Sequence, residues 1–315
     1  MSAYFASLNV LKLFRNMPGG ISQGLIWGVM ALGVYITFRL LDVADLTVDG
    51  SFTTGGAVTV MLILAGWPAW AALLVAIVIG MLAGYITGLL HPKLGIPAIL
   101  AGILTQLSLY SINLRIMGMS ANKAVSVDKY HLLLTSRNIP AAILTAAIIA
   151  LALISFFYWY FGTEQGSAIR ATGNNPAMSR ALGININHMK LLGLALSNGI
   201  VALSGGLMCQ YQGFADINMG RGAIVIGLAA VIIGEVIGNA LLGKHLNFFG
   251  TMLFVVIGGV IYYLVIIIVL WLKLNSNDLK LFTAVIVAVF LALPYLRSQR
   301  ISSFSKFKKE AKKDA

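Results

Sequence analysis

The chain has 315 residues, of which 59% are hydrophobic and only 10% are charged, and its formal net charge is +12. An ordinary soluble domain carries about a quarter charged residues, and a water-soluble fold of this length needs far more polar surface to cover its core. The composition therefore predicts an integral membrane protein and excludes a large soluble core.

The N-terminal residues MSAYFASLNVLKLFRNMPGG lack an apolar core followed by a small-residue cleavage site. They are therefore not typical of a removable signal peptide. We predict instead that residues 1–19 form an amphipathic cytoplasmic segment along the membrane surface, with Lys12 and Arg15 near its end.

Stretches of about 20 mostly apolar residues predict membrane-spanning helices. They predict a polytopic all-α bundle of about eight to ten transmembrane segments in a single membrane domain over 20–297. Glycine pairs at helical spacing, such as Gly24 and Gly28 or Gly80 and Gly84, indicate that the helices pack closely. The segments lie near 20–41, 51–66, 69–90, 97–117, 140–162, 190–211, 222–237, 247–271 and 281–297.

A polar stretch, LDVADLTVDGSFTTGGAV, interrupts the apolar sequence at 41–58. Counting crossings back from a cytoplasmic C-terminus places the N-terminus outside, which conflicts with Lys12 and Arg15. A discontinuous helix near 41–58 would remove the conflict and mark a site facing the transport pathway. An ordinary exterior loop beside a wrongly bounded helix is an equal alternative. The candidate residues of the pathway or its supporting shell are Asp45, Thr47, Asp49 and Ser51.

The C-terminal tail, 298–315, is strongly basic. From residue 297 to the end, seven basic residues stand against two acidic ones. The positive-inside rule and attraction to anionic lipid predict that this tail is cytoplasmic, and the same orientation puts the loop 163–189 in the cytoplasm. No nucleic-acid-binding module accompanies the tail, so nucleic acid is not an expected partner.

The segment GNNPAMSRALGI, at 173–184, predicts a short helix with marked ends. Asn175 can cap its start, Pro176 suits its first position, and Gly183 can take the left-handed conformation that ends it. A helix this short needs contacts on both sides. One side belongs to the membrane domain, so the other is available to a cytoplasmic partner or, alternatively, packs along the headgroups. Its outer face has an apolar set and one charge: Ala177, Met178, Ala181, Leu182 and Arg180.

Other motifs carry no chemistry. The stretch GNALLGKH, 238–245, opens like a phosphate-binding loop, but His245 replaces the Ser or Thr that would bind magnesium. Scattered histidines and the single cysteine, Cys209, predict no metal site, and hydrolase motifs are absent.

Glu235, alone in a long apolar run, is either a pathway contact or proton relay, or a carboxyl that is hydrogen-bonded inside the bundle or dimer.

The loop GSAIRATGNNPAMSRALGININHMKLLGLALSNGIVALSGGL, 166–207, closely resembles the coupling-helix region of permease subunits of type II ABC importers, the branched-chain amino acid and ribose-type class. The stretch ADLTVDGSFTTGGAV resembles the D-L-S-x-G-S segment of sugar permeases, but it is one residue longer and has the extra acid Asp49. IIGEVI and CQYQGFADINMGRG are closer to a subgroup associated with amino-acid importers, including ones proposed for tryptophan or tyrosine. The resemblance spans about 20–295.

The resemblance implies a non-catalytic permease in the cell membrane that works as a dimer, here a homodimer, with two separate ATPase subunits and an extracytoplasmic substrate-binding lipoprotein. ATP and Mg would bind to the ATPase, and this chain would hold no cofactor. The expected solute is small, an amino acid and in one reading an aromatic one. A proton-coupled secondary transporter using Glu235 is the first alternative, and a membrane enzyme or scaffold is the second.

The resemblance also implies which residues meet the partners. The coupling helix would seat in a groove of the ATPase through Asn175, Pro176, Ala177, Met178, Ser179, Arg180, Leu182 and Gly183. At the outer mouth, near the binding protein, we expect Gln210, Tyr211 and Gln212.

Overall fold

The computed structural model describes residues 10–243 and 246–271, with side chains from residue 13 onward, and six isolated residues between 281 and 292. Eight helices in this part are long and apolar enough to cross a membrane. This confirms the predicted all-α polytopic architecture. The tail 298–315 and most of the predicted segment 281–297 lie outside the described residues.

The helices begin and end close to the predicted positions. In chain order they are α1 (Val10–Tyr35, continued by the π-helical turn Ile36–Leu40), α2 (Thr47–Leu64), α3 (Ala69–Gly88, continued by the π-helical turn Leu89–Lys93), α4 (Ala98–Ile116), α5 (Ile139–Gly162), α6 (Glu164–Asn174), α7 (Pro176–Ala181), α8 (Ile186–Gln212), α9 (Ala223–Leu242) and α10 (Phe248–Trp271). Two short strands, β1 (Asn122–Ala124) and β2 (Phe214–Asp216), pair antiparallel.

The centre of the bundle is formed by α1, α2 and α8, which are the most deeply buried of the eight crossing helices. α8 contacts α1, α2 and α3, and α10 packs on α1 and α9. Trp27 of α1 stacks on Phe52 of α2 with ring centroids 4.7 Å apart. Large apolar side chains thus fill the centre, while much of α4 and α5 faces outward.

Glycines lie where helices cross, as predicted. On α3, Gly80 and Gly84 face the backbone of α8, where a Cβ would collide. On α2, Gly55 faces the Ala202 carbonyl oxygen, and on α8, Gly205 faces the Phe52 carbonyl oxygen. Small residues let these backbones approach closely, which is how membrane helices gain van der Waals contact.

The two ends of the bundle can be told apart by the loops they carry. We call the end that carries residues 163–185 the loop face, and the end that carries β1 and β2 the opposite face. The Tyr211 hydroxyl, at the end of α8, donates to the Gly19 carbonyl at 3.5 Å, whereas Leu40 packs against Gly173 in the loop. α1 is therefore at the opposite face at Gly19 and reaches the loop face at Leu40, after about 32 Å of helix.

This geometry corrects one prediction. Residues 1–19 and the loop 163–189 were both expected to be cytoplasmic, but the described part of the N-terminal segment enters the bundle at the opposite face. The two expectations cannot both hold, because α1 is a continuous crossing helix. The basic residues Lys12 and Arg15 are too few to set orientation against the rest of the chain.

The predicted discontinuity is present but shorter than expected. Helical structure is lost only over 41–46, where Asp42 has a φ of 53°, and α2 is regular from Thr47 onward. The interruption returns from the loop face into the bundle, because Asp45 contacts Asn198, about 18 Å along α8 from its start. Both flanking helices still complete their crossings, so the break does not change the crossing count.

The chain turns back into the bundle a second time, just before α9. After β2, residues 217–222 turn back into the bundle, and the Gly222 N–H donates to the carboxylate of Asp49 at 2.9 Å. Gly227 then packs against Met30 and Val34 in the middle of α1. α9 therefore starts inside the membrane domain and runs to the loop face.

Candidate functional site

The coupling segment consists of two helices, α6 and α7, separated by one extended residue. Asn175 has φ −150° and ψ 93°, which ends α6, and its side-chain oxygen accepts from the Met178 N–H at 3.0 Å, which caps α7. Pro176 takes the first helical position. This start is as predicted, since Asn is a strong N-cap and Pro loses no hydrogen bond in the first turn.

The end of α7 also follows the predicted chemistry. Gly183 has a φ of 79°, its N–H donates to the Arg180 carbonyl, and the Ile184 N–H donates to the Ser179 carbonyl, each at 3.0 Å. These two hydrogen bonds form a Schellman-type helix ending, which needs a residue in the left-handed conformation. The helix has six residues, one fewer than predicted.

The outward face of α7 is apolar with one cation. Met178 is 60% exposed and Leu182 is 67% exposed, and Ala177, Arg180 and Ala181 are exposed beside them. Ser179 is the inward residue, because it is buried and its hydroxyl donates to the Asn175 carbonyl at 3.0 Å. Since Ser179 is buried, a partner protein can contact α7 only through its exposed residues.

The predicted coupling segment contacts the end of α1, next to the interruption at 41–46. Gly173, near the end of α6, lies so close to the Leu40 carbonyl oxygen that no Cβ fits between them. Arg170, one turn earlier, lies over the ring of Phe248 at the start of α10, 5.5 Å from its centroid. A displacement of α7 therefore reaches both the 41–46 interruption and α10 through direct contacts.

Glu235 lies near the loop-face end of α9 and is paired. Its carboxylate accepts from the Arg39 Nε at 2.8 Å, with side-chain exposures of 21% and 59%. The bond joins α9 to the end of α1, so the geometry corresponds to the structural alternative for Glu235. A role in the pathway stays a prediction.

Three of the four polar candidates around the break are buried and hydrogen-bonded, in two clusters. Asn198 donates to the Asp45 carboxylate at 2.7 Å and accepts from the Ser51 hydroxyl at 2.6 Å. Thr47 lies in a second cluster, with its hydroxyl 2.8 Å from that of Thr87, which donates to Thr105 at 2.9 Å. Asp45, Thr47 and Ser51 are 0–3% exposed, so they belong to the supporting interior of the bundle.

Asp49, the extra acid of the sequence, has a different environment. Its two carboxylate oxygens accept from the N–H groups of Gly222 and Ile224, each at 2.9 Å. A carboxylate at this position satisfies orphan donors and complements the helix dipole at the start of α9. Asp49 also lines a cavity of about 400 Å³ between α2, α4 and the turn 217–222, together with Gly50, Thr53, Gln106, Leu107, Tyr110, Asn113, Ile217 and Arg221.

Sequence reasoning missed the polar residues of this cavity other than Asp49, among them Gln106, Asn113 and Arg221. Asn113 is only 1% exposed, and neither its amide nitrogen nor its amide oxygen has a hydrogen-bond partner. The available signal was Arg221 in NMGRG, a basic residue between two glycines next to a helix start. Nothing in the local pattern shows that the turn re-enters the bundle.

Two residues predicted at the outer mouth are buried instead. The Gln210 side chain accepts from the Leu133 N–H at 3.0 Å and donates to the Ala69 carbonyl at 3.4 Å, which ties the 118–138 loop to α3. Tyr211 is 4% exposed and bonds to α1. Other parts of the chain cover both side chains, and a contact of either with a binding protein stays a prediction. Gln212 is exposed at the opposite face.

A multi-pass helical bundle with charged groups and a cavity at membrane depth, and with a docked short helix at one end, belongs to the class of membrane transport subunits. Comparison with known proteins identifies the group within this class. The chain belongs to the family described as the permease component of branched-chain amino acid transport systems, whose model matches residues 16–294. The predicted family is thereby confirmed, and the chain is a permease component of an ABC-type transport system.

Individual relatives carry different names. The chain is 40% identical to a tyrosine transport system permease protein of Clostridioides difficile over 86% of this chain and 89% of that protein. It is 32% identical to an uncharacterized protein of Rickettsia prowazekii over 86% of this chain and 95% of that protein. It is 31% identical to the autoinducer 2 import system permease protein LsrC of Yersinia pseudotuberculosis over 71% and 62% of the two chains.

Proposed function

We propose that this chain is the membrane subunit of an ATP-driven importer that moves a small solute into the cytoplasm, and that the solute is an amino acid, preferentially an aromatic one. The main observation behind the proposal is the exposed, capped helix α7, which is connected through α6 to the end of α1. The name of the relative from Clostridioides difficile supports an amino-acid solute.

The proposal assigns partners to the two faces of the bundle. At the loop face, α7 would bind an ABC ATPase subunit through Met178, Leu182 and Arg180, so this face is cytoplasmic. The opposite face, with the start of α1 and Gln212, is then external and is available to an extracytoplasmic substrate-binding lipoprotein. Two ATPases would serve two copies of this chain, and they would bind ATP and Mg, leaving the permease without a cofactor or a catalytic role.

The mechanism follows from the contacts of the coupling segment. When the ATPases close on ATP, they would displace α7, and α6 would transmit that motion to Leu40 through Gly173 and to Phe248 through Arg170. The adjoining interruption 41–46 is not helical, and we infer that it serves as the hinge. Two packings of α1 and α2 would then have different affinities for the ATP-bound ATPase, which is the only requirement for alternating access.

A proton-coupled transporter using Glu235 is the competing function, and a membrane enzyme or scaffold is a more distant one. The Arg39 bond joins α9 to the end of α1, which supports a structural role for Glu235 rather than that of a proton carrier. The two transport mechanisms also differ in their source of energy, and that difference can be measured.

The test is uptake of radiolabelled L-tyrosine, L-tryptophan and L-leucine into proteoliposomes that contain this permease, its ATPase and its binding protein. We expect uptake that requires ATP inside the vesicles and that is insensitive to a protonophore. The matched control carries an ATPase that cannot hydrolyse ATP. Uptake that survives without ATP but is abolished by the protonophore would favour the proton-coupled alternative, and no solute movement under any condition would favour an enzyme or a scaffold.

A further inference from the structure

The cavity beside Asp49 is lined by one acidic and one basic residue at membrane depth, Asp49 and Arg221, of which Arg221 is exposed. Asp49 lies about 22 Å along α2 from Leu64 at the opposite face, in a hydrocarbon layer of about 30 Å. Arg221 is next to Gly222, whose N–H contacts the Asp49 carboxylate, so its backbone lies at the same depth. Ionisable residues at such depth are costly and mark functional sites by default.

Within the part of the chain that the structure describes, neither Asp49 nor Arg221 has an ion-pair partner. Among residues 10–243 and 246–271 the ion pairs are Arg39 with Glu235 and Arg137 with Asp128, and neither Asp49 nor Arg221 takes part. The partners of Asp49 are neutral backbone N–H groups. Each carboxylate oxygen has a second lone pair, so Asp49 can accept a further hydrogen bond from a ligand in the cavity.

Asn113 is the independent observation that points to a ligand. It lines the same cavity, is 1% exposed, and has both amide atoms without a partner. Buried side-chain amides are almost always hydrogen-bonded, and leaving one unsatisfied costs about 1–3 kcal/mol. A ligand with both donors and acceptors would satisfy Asn113, and Gln106 offers a second amide on the same helix, α4.

We propose that this cavity binds a free α-amino acid in its zwitterionic form on its way through the permease. Arg221 would bind the α-carboxylate in the bidentate geometry that guanidinium favours, while Asp49 and the Asn113 oxygen would accept from the α-ammonium. Leu107, Tyr110 and Ile217 would contact the side chain. The volume of about 400 Å³ is within the range of small-molecule sites, about 300–1,000 Å³.

The pairing of charges selects the chemical class. An anionic ligand would leave Asp49 without a counter-charge, a cationic ligand would do the same to Arg221, and an uncharged sugar would leave both charges uncompensated. A zwitterion neutralises both at once. The inference rests on the proposed function, because it names the solute class of that transport.

The test is protection of an introduced cysteine in the full complex with its ATPase in lipid nanodiscs. Leu107→Cys places a thiol in the cavity wall at a position that is 64% exposed, and the native Cys209 is 1% exposed and gives little background. Labelling by a thiol reagent is measured against increasing L-tyrosine, L-tryptophan or L-leucine. Tyramine lacks the carboxylate, and 3-(4-hydroxyphenyl)propionate lacks the ammonium, so these two compounds test each charge separately.

We expect at least one amino acid to protect the cysteine, and both analogues to protect at least about tenfold less well. Arg221→Gln should weaken protection by a similar factor, and Arg221→Lys should restore part of it. Two controls should behave differently. Ile112→Cys, 47% exposed on α4 but outside the cavity lining, should not be protected, and Arg115→Gln on the same helix should leave protection unchanged.

Equal protection by tyramine, or protection that is unchanged in Arg221→Gln, would overturn the proposal. So would the absence of protection by all three amino acids. In that case the uptake assay separates the two claims. ATP-dependent uptake of any of the amino acids would leave the proposed function standing without this site, whereas absence of such uptake would remove the amino-acid substrate as well.

Discussion

Asn198 is the residue whose replacement should most sharply reveal how the bundle interior is held. It lies on the central helix α8 and makes three hydrogen bonds, to the Asp45 carboxylate at 2.7 Å, the Ser51 hydroxyl at 2.6 Å and the Leu194 carbonyl at 2.9 Å. Asn198→Leu has nearly the same shape but loses all three. The two side-chain partners, Asp45 and Ser51, would remain buried and lose their bonds to residue 198.

The size of the effect follows from these bonds. Hydrogen bonds between membrane helices contribute about 0.6 kcal/mol each on average, so the two bonds to Asp45 and Ser51 contribute about 1 kcal/mol, while the bond to the Leu194 carbonyl lies within α8. Leaving the buried Asp45 carboxylate with only its bond to the Thr47 N–H adds about 1–3 kcal/mol. We therefore expect Asn198→Leu to lower the free energy of unfolding by about 2–4 kcal/mol.

The assay is the midpoint of unfolding in detergent, followed by the reactivity of Cys209, which is buried in the folded protein. Asn187→Leu is the matched control, because Asn187 is exposed near the start of the same helix and its replacement should change the midpoint little. Ser51→Ala combined with Asn198→Leu should cost less than the sum of the two single changes, since they remove the same bond. If Asn198→Leu is as stable as Asn187→Leu, the network does not hold the bundle together.

Three further predictions concern packing, coupling and the ion pair. Gly205→Ala should abolish accumulation of folded protein, because its Cβ would collide with the Phe52 carbonyl, whereas Gly162→Ala, which meets nothing within 4 Å, should be tolerated; equal yields of folded protein would refute the close crossing. Asn175→Ala should destabilise α7 by about 1 kcal/mol and lower the solute imported per ATP hydrolysed, and an unchanged ratio would count against the cap. Glu235→Gln should leave uptake dependent on ATP. Glu235→Gln and Arg39→Gln should each change the unfolding midpoint only slightly, because a half-exposed ion pair contributes about 0–1 kcal/mol. Loss of all uptake in Glu235→Gln, together with sensitivity of the unmodified protein to a protonophore, would contradict that account.

The features that could be predicted are those set by neighbouring residues. The crossing helices follow from runs of apolar residues, and the caps of α7 follow from Asn175, Pro176 and Gly183, whose preferences act within one turn. Glycine spacing correctly predicted close crossings such as α3 with α8. In each case the information lies within about ten residues of the feature.

The features that were missed depend on contacts between distant parts of the chain. Asp49 caps a helix that starts more than 170 residues later, so its extra charge could be noticed but not explained. Gln210 and Tyr211 stand at the polar end of a helix, yet loops and α1 cover them. The re-entry of 217–222, which brings Arg221 to Asp49, has no local signature because the same residues would suit an exterior loop.

The orientation of α1 shows a different limit. A count of crossings and a count of two basic residues gave opposite answers, and the interruption at 41–58 was expected to reconcile them. The break is confined to 41–46 and both helices cross, so it does not reconcile the two counts. The positive-inside rule weighs charges over a whole chain and is weak when it rests on Lys12 and Arg15 alone.

The measurement that tests the central claim most directly is crosslinking between the coupling helix and the ATPase. Met178→Cys, at an exposed position of α7, should form a crosslink to a cysteine in the co-expressed ATPase with linkers of several lengths, and Leu182→Cys should do the same. Trp67→Cys, which is 50% exposed at the opposite face, is the control that should form none. If Met178→Cys and Leu182→Cys give no crosslink while the complex is folded and co-purifies with the ATPase, α7 is not where ATP hydrolysis is coupled to this permease.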